Sequence, residues 1–179
     1  MAASVALGLS FYYYSRRPGV PWRIVRPRQV FGASKFVLKE RLGELSISND
    51  RTRLVLGVPT IGRLRMVGAA TAPRTFRTGD RTFDALIVVD ASPRELARPF
   101  LDAEMRSAIA TLRRLGNGSF SWPGLDVEAS EGRIIFEISR MVSVRRGELG
   151  EFLRLASLIA NRYAAVVESF PGARAPVGY

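Results

Sequence analysis

Residues 148–169, "ELGEFLRLASLIANRYAAVVES", constrain the fold more than any other stretch of the chain. Leu149, Phe152, Leu153, Ala156, Ile159, Ala160, Tyr163, Val166 and Val167 fall on one stripe at helical spacing, with Glu151, Arg154, Asn161 and Arg162 off it. Such a helix is stable in water only when that stripe lies on another apolar surface. The rest of the chain supplies one through its alternating segments. In "LDVEASEGRIIFEI", Leu125, Val127 and Ala129 alternate with Asp126 and Glu128, a turn falls at Glu131-Gly132, and Ile134, Phe136 and Ile138 share a face. That is a hairpin with one wet side and one dry side.

Upstream, "FVLKERLGELSISND" and "TRLVLGVPTIGRLRMVGAAT" read as two to four antiparallel strands, broken at Asn49-Asp50 and at Gly57, Pro59, Gly62 and Gly68. "PRTFRTGDRTFD" reads as a loop centred on Gly79-Asp80, and "ALIVV" (85–89) as a buried strand. Ser92-Pro93-Arg94-Glu95 has the form of a capping box with proline at the first helical position, which predicts a helix from Pro93. Pro99 interrupts it and Asp102 re-caps a second segment, along which Met105, Ala108, Ile109, Leu112 and Leu115 recur until Gly116. Strands first, then strand, helix, hairpin and helix, define an α+β class: a mainly antiparallel sheet with two principal helices on one face, preceded by an N-terminal hydrophobic segment.

That N-terminal segment, residues 1–15, contains thirteen consecutive uncharged residues, "AASVALGLSFYYY", with Arg16 and Arg17 just beyond. An apolar run, then Phe11, Tyr12, Tyr13 and Tyr14, then cations, is the order of a helix leaving a bilayer, with its cationic end on the cytoplasmic side. Its length argues the other way. About 14 residues at 1.5 Å per residue reach roughly 21 Å, against about 30 Å of hydrocarbon. The segment is therefore expected to be a short or truncated anchor, with a helix packed into the fold as the competing reading. Residues 16–31, rich in Pro and Arg, read as an extended basic linker, 32–170 as one α+β domain, and 171–179 as a flexible tail.

Composition narrows the chemistry. The chain has no cysteine and no histidine, which closes thiolate metal sites, thiol nucleophiles, zinc–histidine centres and histidine triads. No motif names a reaction, so no catalytic, cofactor-binding or metal-ligating residue is assigned, and no cofactor is expected. The net charge of +11 is uneven: residues 1–80 hold fourteen Lys/Arg against four Asp/Glu, and residues 81–179 thirteen against twelve. A basic half beside an apolar start points to a polyanionic contact, an anionic membrane surface or, as the alternative, nucleic acid. Arg63 and Arg65 alternate on one strand face, and with Arg74 and Arg77 they form the candidate anion-contacting surface. Phe11, Tyr12, Tyr13, Tyr14, Arg16 and Arg17 form the candidate membrane contact.

Three other constellations have plainer explanations. Asp80, Asp84 and Asp90 match no cation-loop spacing and suit turn and cap duty. No Lys-Ser/Thr or helix start comes after Gly57, Gly62 and Gly68, so they suit hairpin turns rather than a phosphate loop. Asp126, Glu128, Glu131 and Glu137 occupy the polar side of a hairpin, which is the weaker case for acid–base work.

Gly79-Asp80 with Phe83-Asp84, leading into strand, helix, hairpin and closing helix over residues 75–168, resembles bacterial membrane-tethered α+β domains of unknown function. The resemblance implies architecture and tethering, and brings no catalytic residues. The expectation is therefore a membrane-proximal cytosolic domain, a non-catalytic interaction or scaffolding module. A soluble basic nucleic-acid-binding protein is the alternative, and a carboxylate-dependent enzyme stands behind both.

Overall fold

The computed structural model describes residues 24–30, 33–38, 43–48, 50–68, 76–116, 124–140, 142 and 147–170. In chain order the elements are β1 (Ile24–Val30), β2 (Ala33–Leu38), β3 (Gly43–Ile47), β4 (Thr52–Gly57), β5 (Arg63–Gly68), α1 (Arg81–Leu86) and β6 (Ile87–Ser92). A 3₁₀ turn (Arg94–Leu96) then runs into α2 (Ala97–Phe100), and after it come α3 (Ala103–Leu115), β7 (Asp126–Ser130), β8 (Arg133–Ile138) and α4 (Glu148–Glu168). The strands form one sheet of order β1-β2-β3-β4-β8-β7-β5-β6, with every neighbouring pair antiparallel. The β7–β8 hairpin is thus inserted between β4 and β5, its two halves pairing with strands far away in sequence.

Alternation decides which side of each strand is dry. Leu45 and Ile47, Leu54 and Leu56, Ile134, Phe136 and Ile138, Val127 and Ala129, Leu64 and Met66, and Val89 and Ala91 are all buried in one cluster. The same cluster takes in Met105, Ile109 and Leu112 of α3 and Phe152, Ala156, Ile159 and Tyr163 of α4. The α+β expectation, with the two principal helices on one face of an antiparallel sheet, is what the chain forms. The C-terminal stripe lands on the core as its spacing requires, and Tyr163 meets Phe100 edge-on at 5.7 Å and 87°.

Local chemistry closes the elements. Asp102 caps α3 by accepting from the Met105 N–H at 2.9 Å, as expected. Glu131 (φ 52°) and Gly132 (φ 78°) make the tight turn between β7 and β8, with left-handed backbone at both central positions. Gly62 (φ 58°) is required between β4 and β5, because a Cβ there would stand 1.8 Å from the Ser92 carbonyl oxygen. Buried Thr52 is satisfied on both sides: its hydroxyl donates to the Arg140 carbonyl at 2.9 Å and accepts from the Val142 N–H at 3.1 Å.

Four readings of the sequence need correction. Residues 24–30 are not linker but an edge strand. Pro27 is tolerated there because an edge strand need pair on one side only, and the register slips between Ile24 and Pro27. The "TGDRTFD" loop contains a helix, α1, which Asp80 caps through the Phe83 N–H at 3.1 Å. The strand read at 85–89 is displaced to 87–92, because the cap draws Ala85 and Leu86 into α1. The box at Ser92–Glu95 makes no side-chain cap bond. Ser92 is held in the ladder opposite Arg63, and Arg94–Leu96 form a 3₁₀ turn rather than the first turn of a continuous helix from Pro93.

Candidate functional site

The side of the sheet away from the helices carries the charged residues. In register across it lie Arg53 on β4, Glu137 on β8 and Asp126 on β7, and beside that row Val55, Ile135, Glu128, Arg65 and Asp90. The pleat brings these side chains to one face because each is an odd–even neighbour of a core residue.

The arginines on this face are paired. Arg65 holds Asp126 through two bonds, Nη2 to Oδ2 at 2.7 Å and Nε to Oδ1 at 3.3 Å. Arg63 Nε donates to Glu128 Oε1 at 3.0 Å. Glu137 lies between Arg51 at 3.5 Å and Arg53 at 3.7 Å. The hydrogen bond to Asp126 holds the Arg65 guanidinium above its ordinary range, so it stays charged and engaged. A shallow, open depression of about 160 Å³ lies among Arg53, Asp126, Glu128, Ile135 and Glu137. Its carboxylates already have guanidinium partners, so it offers a balanced polar surface rather than a pair of acids poised for proton transfer.

Of the candidate anion-contacting residues, the structure therefore brings Arg63 and Arg65 together on β5 and matches each with a carboxylate. Arg77 is separate from them: exposed, it precedes the turn at Gly79, and it makes no ion pair among the described residues. Arg74 lies outside the described residues, as do Phe11, Tyr12, Tyr13, Tyr14, Arg16 and Arg17 and the tail from 171. No described helix is long and apolar enough to cross a membrane.

The motif-like "TGDRTFD" is a self-contained lock. Asp84 accepts from the Thr78 hydroxyl at 2.8 Å, the Thr78 N–H at 3.0 Å and the Gly79 N–H at 3.1 Å. It fills with its own carboxylate the nest of amides that an external anion would otherwise use. Asp80 caps α1, receives Arg106 Nε at 3.3 Å and is held below the usual carboxylate range, chiefly by the Phe83 N–H. Asp80 and Asp84 thus do turn and cap work, while Asp90 stands apart on β6 opposite Arg65. Among the described residues no group of three or more His, Cys, Asp or Glu could hold a metal ion.

Two features have no distinct signal in the sequence. Arg140 donates to the Leu115 carbonyl at the end of α3 and pairs with Glu148 at the start of α4, at 2.9 Å. Its position just after the hairpin reads as one more surface arginine. Tyr163 lies on the apolar stripe of α4. Burial pushes its hydroxyl up to about 12, with a small opposing effect from the backbone at Ile61. No well-formed hydrogen bond satisfies that hydroxyl.

The architecture is that of an eight-stranded antiparallel sheet under two long helices. No family model matches the chain, and no curated protein matches it in sequence. Among solved structures it is similar to the mycobacterial trehalose monomycolate transport factor A, TtfA. The two are 12% identical, and the match covers 97% of this chain and 99% of that one at a TM-score of 0.55. At that identity the likeness speaks for a shared α+β fold.

Proposed function

We propose that this chain is a non-catalytic interaction module held at the cytoplasmic face of a membrane by residues 1–14 and the basic residues after them. The observation that carries this reading is the distribution of charge once the ion pairs are known. Residues 1–42 hold eight Lys/Arg against one acid, while the sheet face downstream is neutralised by its own carboxylates. The positive surplus sits beside the uncharged start, where each cation near an anionic leaflet contributes about 1 kcal/mol. A fold neighbour that is a trehalose monomycolate transport factor is compatible with a membrane-related module. Of the four arginines on which the nucleic-acid reading relies, Arg63 and Arg65 are engaged with carboxylates, Arg77 is exposed without an ion pair among the described residues, and Arg74 lies outside them, so the membrane reading is preferred.

The test is fractionation of the full chain and of a chain lacking residues 1–23, a deletion that stops short of β1. The full chain is expected with membranes after a high-salt wash and the shortened one in the soluble fraction. A full chain that stays soluble, or a shortened one that still sediments with membranes, refutes the reading.

A further inference from the structure

Nine arginines of the fold are tied in ion pairs, and those left over are not scattered evenly. Among the described residues six arginines make no ion pair: Arg77 and Arg81, Arg94 and Arg98, and Arg113 and Arg114 at the end of α3, all exposed except the half-buried Arg113. Arg94 and Arg98 stand one helical turn apart on the 3₁₀ turn and α2. Leu96, Ala97 and Phe100 face the core from that turn, leaving the arginines on its outer side. Glu95, between them, pairs with neither.

The register shows where this turn lies relative to the start of the fold. Partners run across all eight strands from Ile24 through Leu38, Gly43, Leu56, Ile134, Ala129 and Leu64 to Ala91. The chain therefore enters the sheet at Ile24 on the same end of the strands from which it leaves β6 toward Arg94. Arg77 and Arg81 belong to the other end of β6, where α1 leads into Ile87. Seven strand spacings separate β1 from β6, about 34 Å. The nine residues 15–23 can span at most about 30 Å.

We propose that Arg94 and Arg98 are a second membrane contact, binding anionic phospholipid headgroups, so that the domain stands on the strand end that holds both Ile24 and the β6 exit. This rests on the tethered reading above and adds the orientation. One tether leaves a domain free to swing, whereas a tether plus a cationic foot some 34 Å away fixes which surfaces face the cytosol.

The experiment uses the full chain with vesicles of phosphatidylcholine alone and with a third phosphatidylglycerol. The preference for anionic over neutral vesicles is expected to fall roughly tenfold to thirtyfold in R94Q/R98Q. The R77Q/R81Q variant, with the same loss of charge at the other end, is expected to keep it. Because the chain has no cysteine, a fluorophore on S92C or on T82C reports each end separately. Headgroup-quencher lipid should quench the Ser92 label and spare the Thr82 label. Equal losses in the two arginine variants, or equal quenching at both labels, overturn the orientation while leaving the tether standing. No binding to either vesicle overturns the tether and the foot together. A loss of RNA retardation in R94Q/R98Q with vesicle preference intact assigns these arginines to nucleic acid instead and overturns the proposal. Circular dichroism of each variant confirms the fold; all four arginines are exposed and none supports the core.

Discussion

If ion pairing is what keeps the open sheet face from binding polyanions, removing the acids should create binding where removing the arginines destroys none. In D126N/E128Q the side chains keep their shape while Arg63 and Arg65 lose their partners, so four charges summing to zero become +2. Two freed cations add about 1.8 to the slope of log K against log salt for duplex DNA, about a twelvefold change in affinity between 50 and 200 mM. The stability cost is small. Both arginines are 40% or more exposed, so each pair contributes about 0–1 kcal/mol, the bidentate Arg65 pair at the upper end. Part of that is returned, because Asp126 stands directly opposite Glu137 in the register and its neutralisation removes a like-charge neighbour. The net is about 1 kcal/mol, or roughly 2–4 °C in Tm. Fluorescence anisotropy with a labelled duplex over a salt series measures the slope, and R63Q/R65Q serves as the control whose slope should equal that of the unmodified chain. The reasoning is refuted if R63Q/R65Q lowers the slope, since those arginines would then reach phosphates despite their carboxylates. It also fails if D126N/E128Q leaves the slope unchanged while still folded.

Three further outcomes are expected from the geometry. Asp102→Ala removes both the cap on Met105 N–H and the 2.9 Å pair with Arg162, and should cost about 1–2.5 kcal/mol by urea titration. Asp102→Asn, which can still cap, should recover more than half of that. Tyr163→Phe should change stability at pH 7 by about 0.5 kcal/mol or less, since no good hydrogen bond is lost. Above pH 10 it should resist unfolding better than the parent. An unfolded tyrosine ionises near about 10, and the buried one near about 12. Over that interval the native state keeps a proton the unfolded state has lost, and stability falls as pH rises. Phe136→Ala, fully buried on β8 between Leu54 and Val127, should lose about 3–5 kcal/mol of unfolding free energy and leave the exposed arginines untouched.

Legible and illegible parts of the fold divide along a physical line. The α4 stripe, the β7–β8 hairpin and the Asp102 cap are legible because each is decided by residues within one or two turns of one another. The "TGDRTFD" segment reads as a loop because its helix is nucleated by two side-chain carboxylates, Asp80 and Asp84, folding back on their own backbone. Composition registers such residues only as turn formers. The 24–30 strand is hidden because Pro27 and the arginines mask it, and only its position at the sheet edge makes proline acceptable there.

The candidate surface is the least legible part, and for a reason that bears on function. Arg63 and Glu128 are 65 positions apart, Arg65 and Asp126 61 apart, and both pairs exist only because the hairpin is inserted beside β5. A charge count sees the arginines of 1–80 and the acids of 81–179 as two separate populations; the sheet order interleaves them. The same topology that pairs Arg63 and Arg65 leaves Arg94 and Arg98 without acid partners among the described residues, after the end of β6 in register with Ile24. Which cations of a basic protein remain available is thus set by strand order rather than by net charge. Among the described residues Arg77, Arg81, Arg113 and Arg114 also lack acid partners, and Arg94 and Arg98 are the ones that follow the end of β6 in register with Ile24.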